Sequence, residues 1–140
     1  MGNFGSSSTK SKELSKELER LGKRPEEFQG QIKLKINEED IRRIGVVVKP
    51  SDGLYAGKVA RFEINTVHLT MHSVDIPPLP HPNISAHGDV CIEFDRSSLT
   101  LALNALLWLL YNPDYSDPFP IRGLRTEDDV RKSLSSWKKK

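Results

Sequence analysis

One cysteine, Cys91, stands eight residues beyond Asn83 in the stretch HPNISAHGDVCIEF, residues 81–94, and it is the only thiol in the chain. Three chemistries fit these residue types. His81, His87 and Cys91 offer the imidazole and thiolate donors that zinc accepts, but the spacing matches no closed structural site and a fourth ligand is missing nearby. As a small apolar side chain, Cys91 would fill a core, where cysteine is common. As a nucleophile on a loop, it would have Asn83 at hand, whose amide N–H can donate to an oxygen that turns negative when a thioester or carbonyl is attacked. Pro82 restricts the backbone just before that donor. No spacing rule sets His81 or His87 beside the thiol as a base, so a nucleophilic Cys91 suits acyl exchange between thioesters better than amide hydrolysis. Spacing alone leaves the three readings open.

The elements that must position these residues follow from periodicity. Residues 1–10 are small and polar without period and read as a flexible tail, with the domain expected over 11–140. Leu14, Leu18 and Leu21 recur at helical spacing until Gly22 and Pro25, giving an amphipathic first helix. QIKLKIN, IGVVVKP, KVARFEI and VHLTMHSV read as four strands of an antiparallel meander. In the third, Val59 and either Phe62 or Ile64 are expected inward; in the fourth, Val67, Leu69 and Met71. PSDGLYAG, with its Asp52-Gly53 turn signal, is a hairpin loop between the second and third. Pro77, Pro78, Pro80 and Pro82 then forbid any regular element ahead of Asn83. Leu99 to Tyr111 reads as an apolar helix buried on most of its circumference, stopped by the rigid loop NPDYSDPFP. A last short helix should start at the N-cap Thr126, carry Glu127, Asp128 and Asp129 in its first turn, and bury Val130, Leu134 and Trp137.

Composition narrows the partners. The chain has 140 residues, 36% hydrophobic and 29% charged, which suits one core in a soluble globular domain, and the helices and strands expected above make it α+β. With 21 Lys and Arg against 19 Asp and Glu, a formal charge of +2 gives no global argument for nucleic acid. A lone cysteine forms no internal disulfide and fits a reducing compartment. No signal peptide or membrane-spanning run is expected, and LTLALNALLWLLY is too short to cross a bilayer. MGNFGS matches the pattern for N-myristoylation at Gly2, with Ser6 four residues on; a single acyl chain would give only reversible membrane attachment.

The chain resembles the ubiquitin-conjugating enzymes, the E2 family. His81-Pro82-Asn83 followed by Gly88-Asp89-Val90-Cys91 matches the family's HPN tripeptide and its G-x-[IV]-C at the family spacing. The first helix KELSKELERL, the loop PSDGLYAG, the helix after the cysteine and NPDYSDPF, similar to PNPDDPL, extend the likeness over most of the chain. The resemblance implies the UBC-like fold: an N-terminal helix, a four-stranded antiparallel meander, an active-site loop, a central helix and a shortened C-terminal helical part. It also implies that Cys91 accepts the C-terminus of ubiquitin or a ubiquitin-like protein from an E1 activating enzyme as a thioester and passes it to a lysine amine, directly or with an E3 ligase. Asn83 would stabilise the oxyanion or order the loop that does so. Asp117 would orient the incoming lysine and favour loss of its proton, with Tyr115 and Ser116 lining the approach. His81 and Pro82 would hold the turn, and Lys12, Lys16 and Arg20 would contact E1 and E3. No cofactor or metal is implied, since the upstream enzyme uses the ATP; the expected compartments are cytoplasm and nucleus.

Four features depart from the family pattern. INTVHLTMHSV lacks the family's proline-rich segment, the path after Cys91 is shortened to IEFDRSS, Pro80 replaces a tyrosine before HPN, and about twenty residues follow Pro118. VVVKPSDGLYAGKVARFEI and HGDVCI resemble the NEDD8-conjugating branch more than the commonest ubiquitin enzymes, though MGNFGSSST lacks that branch's apolar docking extension. A non-catalytic scaffold that binds ubiquitin or a ligase is the alternative within the fold, disfavoured because such members generally lack the cysteine. A basic adaptor built on the first helix and WKKK, or a thiol hydrolase, finds less support: aromatics are scattered, and no ordered His and Asp partners can be assigned.

Overall fold

The computed structural model describes residues 16–21, 28, 30–36 and 39–137. Gly2, Lys12 and the expected tail lie outside them. Residues 16–21 form helix α1. Four strands follow, β1 (Ile32–Ile36), β2 (Arg43–Val48), β3 (Ala60–Asn65) and β4 (Thr70–Ser73), then α2 (Leu99–Tyr111), a 3-10 turn (Pro120–Arg122) and α3 (Glu127–Ser136). The strands pair antiparallel in the order β1-β2-β3-β4, with Ile44 opposite Ile64, Val46 opposite Phe62 and Ile64 opposite Met71. This is the meander expected from the sequence.

Alternation decides which face is inward. Ile44, Val46 and Val48 of β2 and Ala60, Phe62 and Ile64 of β3 are all buried, so both Phe62 and Ile64 point into the core. Val59 falls just before the strand and is only half-buried, which corrects its assignment as an inward strand position. Val67 is a second correction, at 63% exposure. The Asn65 carboxamide oxygen accepts the N–H groups of Val67 and His68, bending VHL into a turn, and β4 starts only at Thr70. On the edge strand β1 burial fades outward from Ile32 through Leu34 to Ile36.

Ser98 caps α2 by accepting the Leu101 N–H at 3.1 Å, and Asn112 and Pro113 end it. Leu99, Leu103, Leu106 and Leu110 recur at helical spacing and bury one face. Each such leucine, fully buried, stabilises by about 1.5–3 kcal/mol. Burial is one-sided: Asn104 and Trp108 are exposed, the latter at 60%, so the expectation of a helix buried on most of its circumference is corrected to one face. Leucines of α2 join Val46, Phe62 and Ile64 of the sheet, Leu18 and Leu21 of α1, and Val130 and Leu134 of α3 in one apolar cluster. Glu17 fastens α1 to the start of α2, where its carboxylate accepts from the N–H groups of Leu99 and Thr100 and from the Thr100 hydroxyl. Thr126 and Asp129 close a capping box at the head of α3.

Candidate active site around Cys91

The proline-rich segment from Pro77 to Pro82 supplies no ladder of N–H donors, so its shape is imposed by side chains from elsewhere. Tyr55, buried in the loop after β2, donates its hydroxyl proton to the Pro80 carbonyl at 2.6 Å and stacks on the His81 ring, centroids 5.5 Å apart. His81 is completely buried. Its Nδ1 accepts the Asn83 N–H at 3.0 Å and its Nε2 lies 2.9 Å from the Leu109 carbonyl near the end of α2. An accepting Nδ1 fixes the neutral Nε2–H tautomer. Burial pushes the His81 pKa down to about 4, with the Leu109 carbonyl opposing and the Arg122 charge adding to the shift. Both ring nitrogens are engaged, so His81 has none to offer a metal, and among the described residues no cluster of three metal-ligating side chains forms.

Asn83 is buried, and its side chain spans to the loop after α2. Nδ2 donates to the Asp114 carbonyl at 3.0 Å, and Oδ1 accepts the Asp114 N–H at 2.8 Å. The Pro82 carbonyl accepts the Phe119 N–H at 2.9 Å, adding a second tie between the same two loops.

Cys91 hangs from this turn. Its N–H donates to the Asn83 carbonyl at 2.9 Å, and its side chain is exposed, which removes the core-filling reading. The preceding segment runs along the edge of β4, where Ser73 N–H donates to the Gly88 carbonyl at 2.7 Å. Gly88 has φ +94, and a Cβ there would sit 2.4 Å from the Ser73 carbonyl oxygen. Only glycine fits that approach. Beyond Cys91 the short IEFDRSS path is pinned by Ile92 and Phe94 against the core and by Arg96 stacked over Phe94 at 4.5 Å.

Cys91 opens onto a groove of about 440 Å³ lined by Asn83, Ile92, Glu93, Trp108, Leu109, Asp114 and Asp117. Cys91, Asn83 and Asp117 therefore share one surface. Tyr115 and Ser116 do not line it: Tyr115 packs against the core, and Ser116 donates its hydroxyl proton to the Asp114 carboxylate. That bond and the Ser116 N–H hold the Asp114 carboxyl below its usual range. Asp114, Trp108 and Glu93 are groove residues that the sequence did not single out; Asp114 sits one residue from the NP pair of a recognised loop, and no spacing signal marks Trp108. On α1, Arg20 reaches the Thr100 hydroxyl at 2.7 Å, and Lys16 is exposed.

No family model matches the chain. It is 32% identical over 90 residues to the NEDD8-conjugating enzyme UBC12 of Yarrowia lipolytica, covering 57% of this chain and 50% of that protein. To the NEDD8-conjugating enzyme UBC12 of Kluyveromyces lactis it is 29% identical over 111 residues, covering 67% and 58%. The chain thus spans about half the length of these curated relatives. Among solved structures it is similar to S. cerevisiae Ubc12, with a TM-score of 0.58 and 17% identity over 74% of this chain and 65% of that one, a likeness of fold. With the meander, the central helix and the short C-terminal helix in place, the chain has a UBC-like fold and is weakly related in sequence to the UBC12 homologues.

Proposed function

We propose that this protein is an E2-type transferase that carries ubiquitin or a ubiquitin-like protein as a thioester on Cys91 and passes it to a lysine amine, directly or with an E3. The observation that carries the reading is the exposed Cys91 thiol, on a backbone whose N–H donates to the Asn83 carbonyl, at a groove that Asp117 also lines. In the first step the Cys91 thiolate attacks the carbonyl carbon of the modifier's thioester on E1, a new C–S bond forms, and the E1 sulfur leaves as thiolate. In the second, a neutral lysine amine attacks the same carbon, the Cys91 thiolate leaves, and the amine gives up its proton as the isopeptide bond forms. Asp117 would favour that loss and orient the amine. Asn83 serves by ordering the loop, because both ends of its carboxamide are engaged by Asp114. Lys16 and Arg20 mark α1 as the approach for E1 and E3. The names of the two relatives make NEDD8 the first modifier to test beside ubiquitin.

The test is thioester formation with ATP and separate ubiquitin and NEDD8 activating systems, read on gels with and without reductant. A reductant-sensitive adduct with one modifier, abolished by Cys91→Ala, is the expected result. No adduct with any competent activating system would sink the transferase reading and favour a non-catalytic scaffold.

A further inference from the structure

We infer that Arg122 is a positioning residue for the reaction at Cys91: its guanidinium staples both ends of the His81–Asn83 turn and so sets where Asn83, and the Cys91 backbone hanging from it, can sit. The inference rests on the transferase reading for its kinetic part, and on the structure alone for its geometric part.

Nη1 of Arg122 donates to the Leu79 carbonyl at 2.7 Å and to the Ile84 carbonyl at 3.1 Å, while Nη2 donates to the Pro78 carbonyl at 3.0 Å. Leu79 precedes the turn and Ile84 follows it, and their carbonyls converge on one nitrogen. Both residues are fully buried, so these carbonyls depend on a protein donor. The surrounding prolines, Pro77, Pro78, Pro80 and Pro82, have no N–H with which to build a strand partner. A planar guanidinium delivers several donors in a fixed fork, which an ammonium cannot reproduce.

Arg122 is itself anchored. Its N–H donates to the Phe119 carbonyl, Gly123 closes the 3-10 turn at φ 67 with its N–H on the Pro120 carbonyl, and Phe119 N–H reaches the Pro82 carbonyl. From the staple inward, Ile84 N–H donates to the His81 carbonyl at 3.1 Å, Asn83 N–H to His81 Nδ1, and Cys91 N–H to the Asn83 carbonyl. Beyond the staple itself, these three hydrogen bonds lead to the Cys91 backbone. The same positive charge favours the neutral His81 imidazole whose Nδ1 must accept.

The experiment compares the full chain with its Arg122→Ala and Arg122→Lys variants. Amide hydrogen exchange is measured at Asn83, Ile84 and Cys91 against reference amides at Val46 and Leu106, and the His81 ring is titrated by NMR. Discharge of the Cys91 thioester to free lysine is followed over a range of lysine concentrations. Arg122→Ala is expected to speed exchange about tenfold or more at the three turn amides and not at the references. It should move the His81 midpoint up from about 4. The maximal discharge rate should fall about 10- to 100-fold with the lysine half-saturation little changed. Lysine at 122 should restore the His81 midpoint but neither the exchange protection nor the rate. Unchanged exchange at the three amides overturns the staple, as does an equal rise at the references, which would mean general destabilisation. Full activity in the alanine variant overturns the kinetic part. If the unaltered chain forms no thioester, the transferase reading fails instead, and the exchange and titration results judge the staple by themselves.

Discussion

Asn83 and Asp114, 31 residues apart, exchange two hydrogen bonds that close a ring between a side-chain carboxamide and a backbone peptide. Each end of the carboxamide has one matched partner, so the side chain acts as a strut between the turn before Cys91 and the loop after α2. Replacing it by alanine leaves the Asp114 N–H and carbonyl without these partners in a part-buried setting, and a loss of about 1 kcal/mol is expected. Asn83→Asp should be no milder, because a carboxylate would face the Asp114 carbonyl with no donor. Urea unfolding of the two variants measures this directly. Midpoints equal to that of the unaltered chain would show that the strut carries no stability.

The buried neutral His81 predicts a specific acid sensitivity. Its pKa in the fold is about 4, below the ordinary value near 6.5, so the unfolded chain binds more protons between those limits. Stability from this group is complete above pH 6.5 and declines as pH falls toward 4, by about 3 kcal/mol in all. Urea midpoints from pH 7.5 to 4.5 should fall for the unaltered chain and stay flatter for His81→Gln, which lacks the titrating ring. Parallel profiles would remove His81 as the cause.

Gly88 predicts a stability contrast among glycines. Gly88 and Gly57 both have positive φ, +94 and +77, but a Cβ on Gly57 would meet open space while one on Gly88 would strike the Ser73 carbonyl oxygen at 2.4 Å. Gly57→Ala should cost about 1–2 kcal/mol, the backbone penalty alone. Gly88→Ala should cost roughly 1–3 kcal/mol more, because the approach of the Cys91 segment to β4 must open. Thermal or urea unfolding of both variants checks the difference, and equal losses would mean that the segment yields without resistance.

These sites differ in how far the sequence disclosed them. α2 was legible over Leu99–Tyr111 because leucines at helical spacing lie between a serine cap and Asn112-Pro113. The Thr126 cap was legible for the same reason, as local chemistry. Val67 was not, since its fate is set by the Asn65 side chain bending the backbone in a local turn, which alternating hydrophobicity does not carry. HPN and Cys91 were visible as a spacing, yet what holds them was hidden. Arg122 grips carbonyls some forty residues earlier, and carbonyls have no residue type to read. Tyr115 shows the converse: a groove side chain by position, it packs partly buried against the core instead.

Asp117 lines the Cys91 groove and is exposed, which makes its carboxylate a candidate for steering and deprotonating the attacking lysine. Asp117→Asn keeps the shape and removes the charge. Thioester formation should proceed as before, because no amine takes part in it. Discharge to free lysine at pH 7 should slow by about tenfold or more, at the low end of or below the range for general base catalysis because the group is solvated. The deficit should shrink as pH rises toward 9, since the amine, with an ordinary pKa near 10.4, then reaches the groove neutral in growing proportion. Single-turnover discharge at pH 7, 8 and 9 provides the measurement. A deficit of constant size across that range would assign Asp117 to orienting the amine and remove it from the proton transfer.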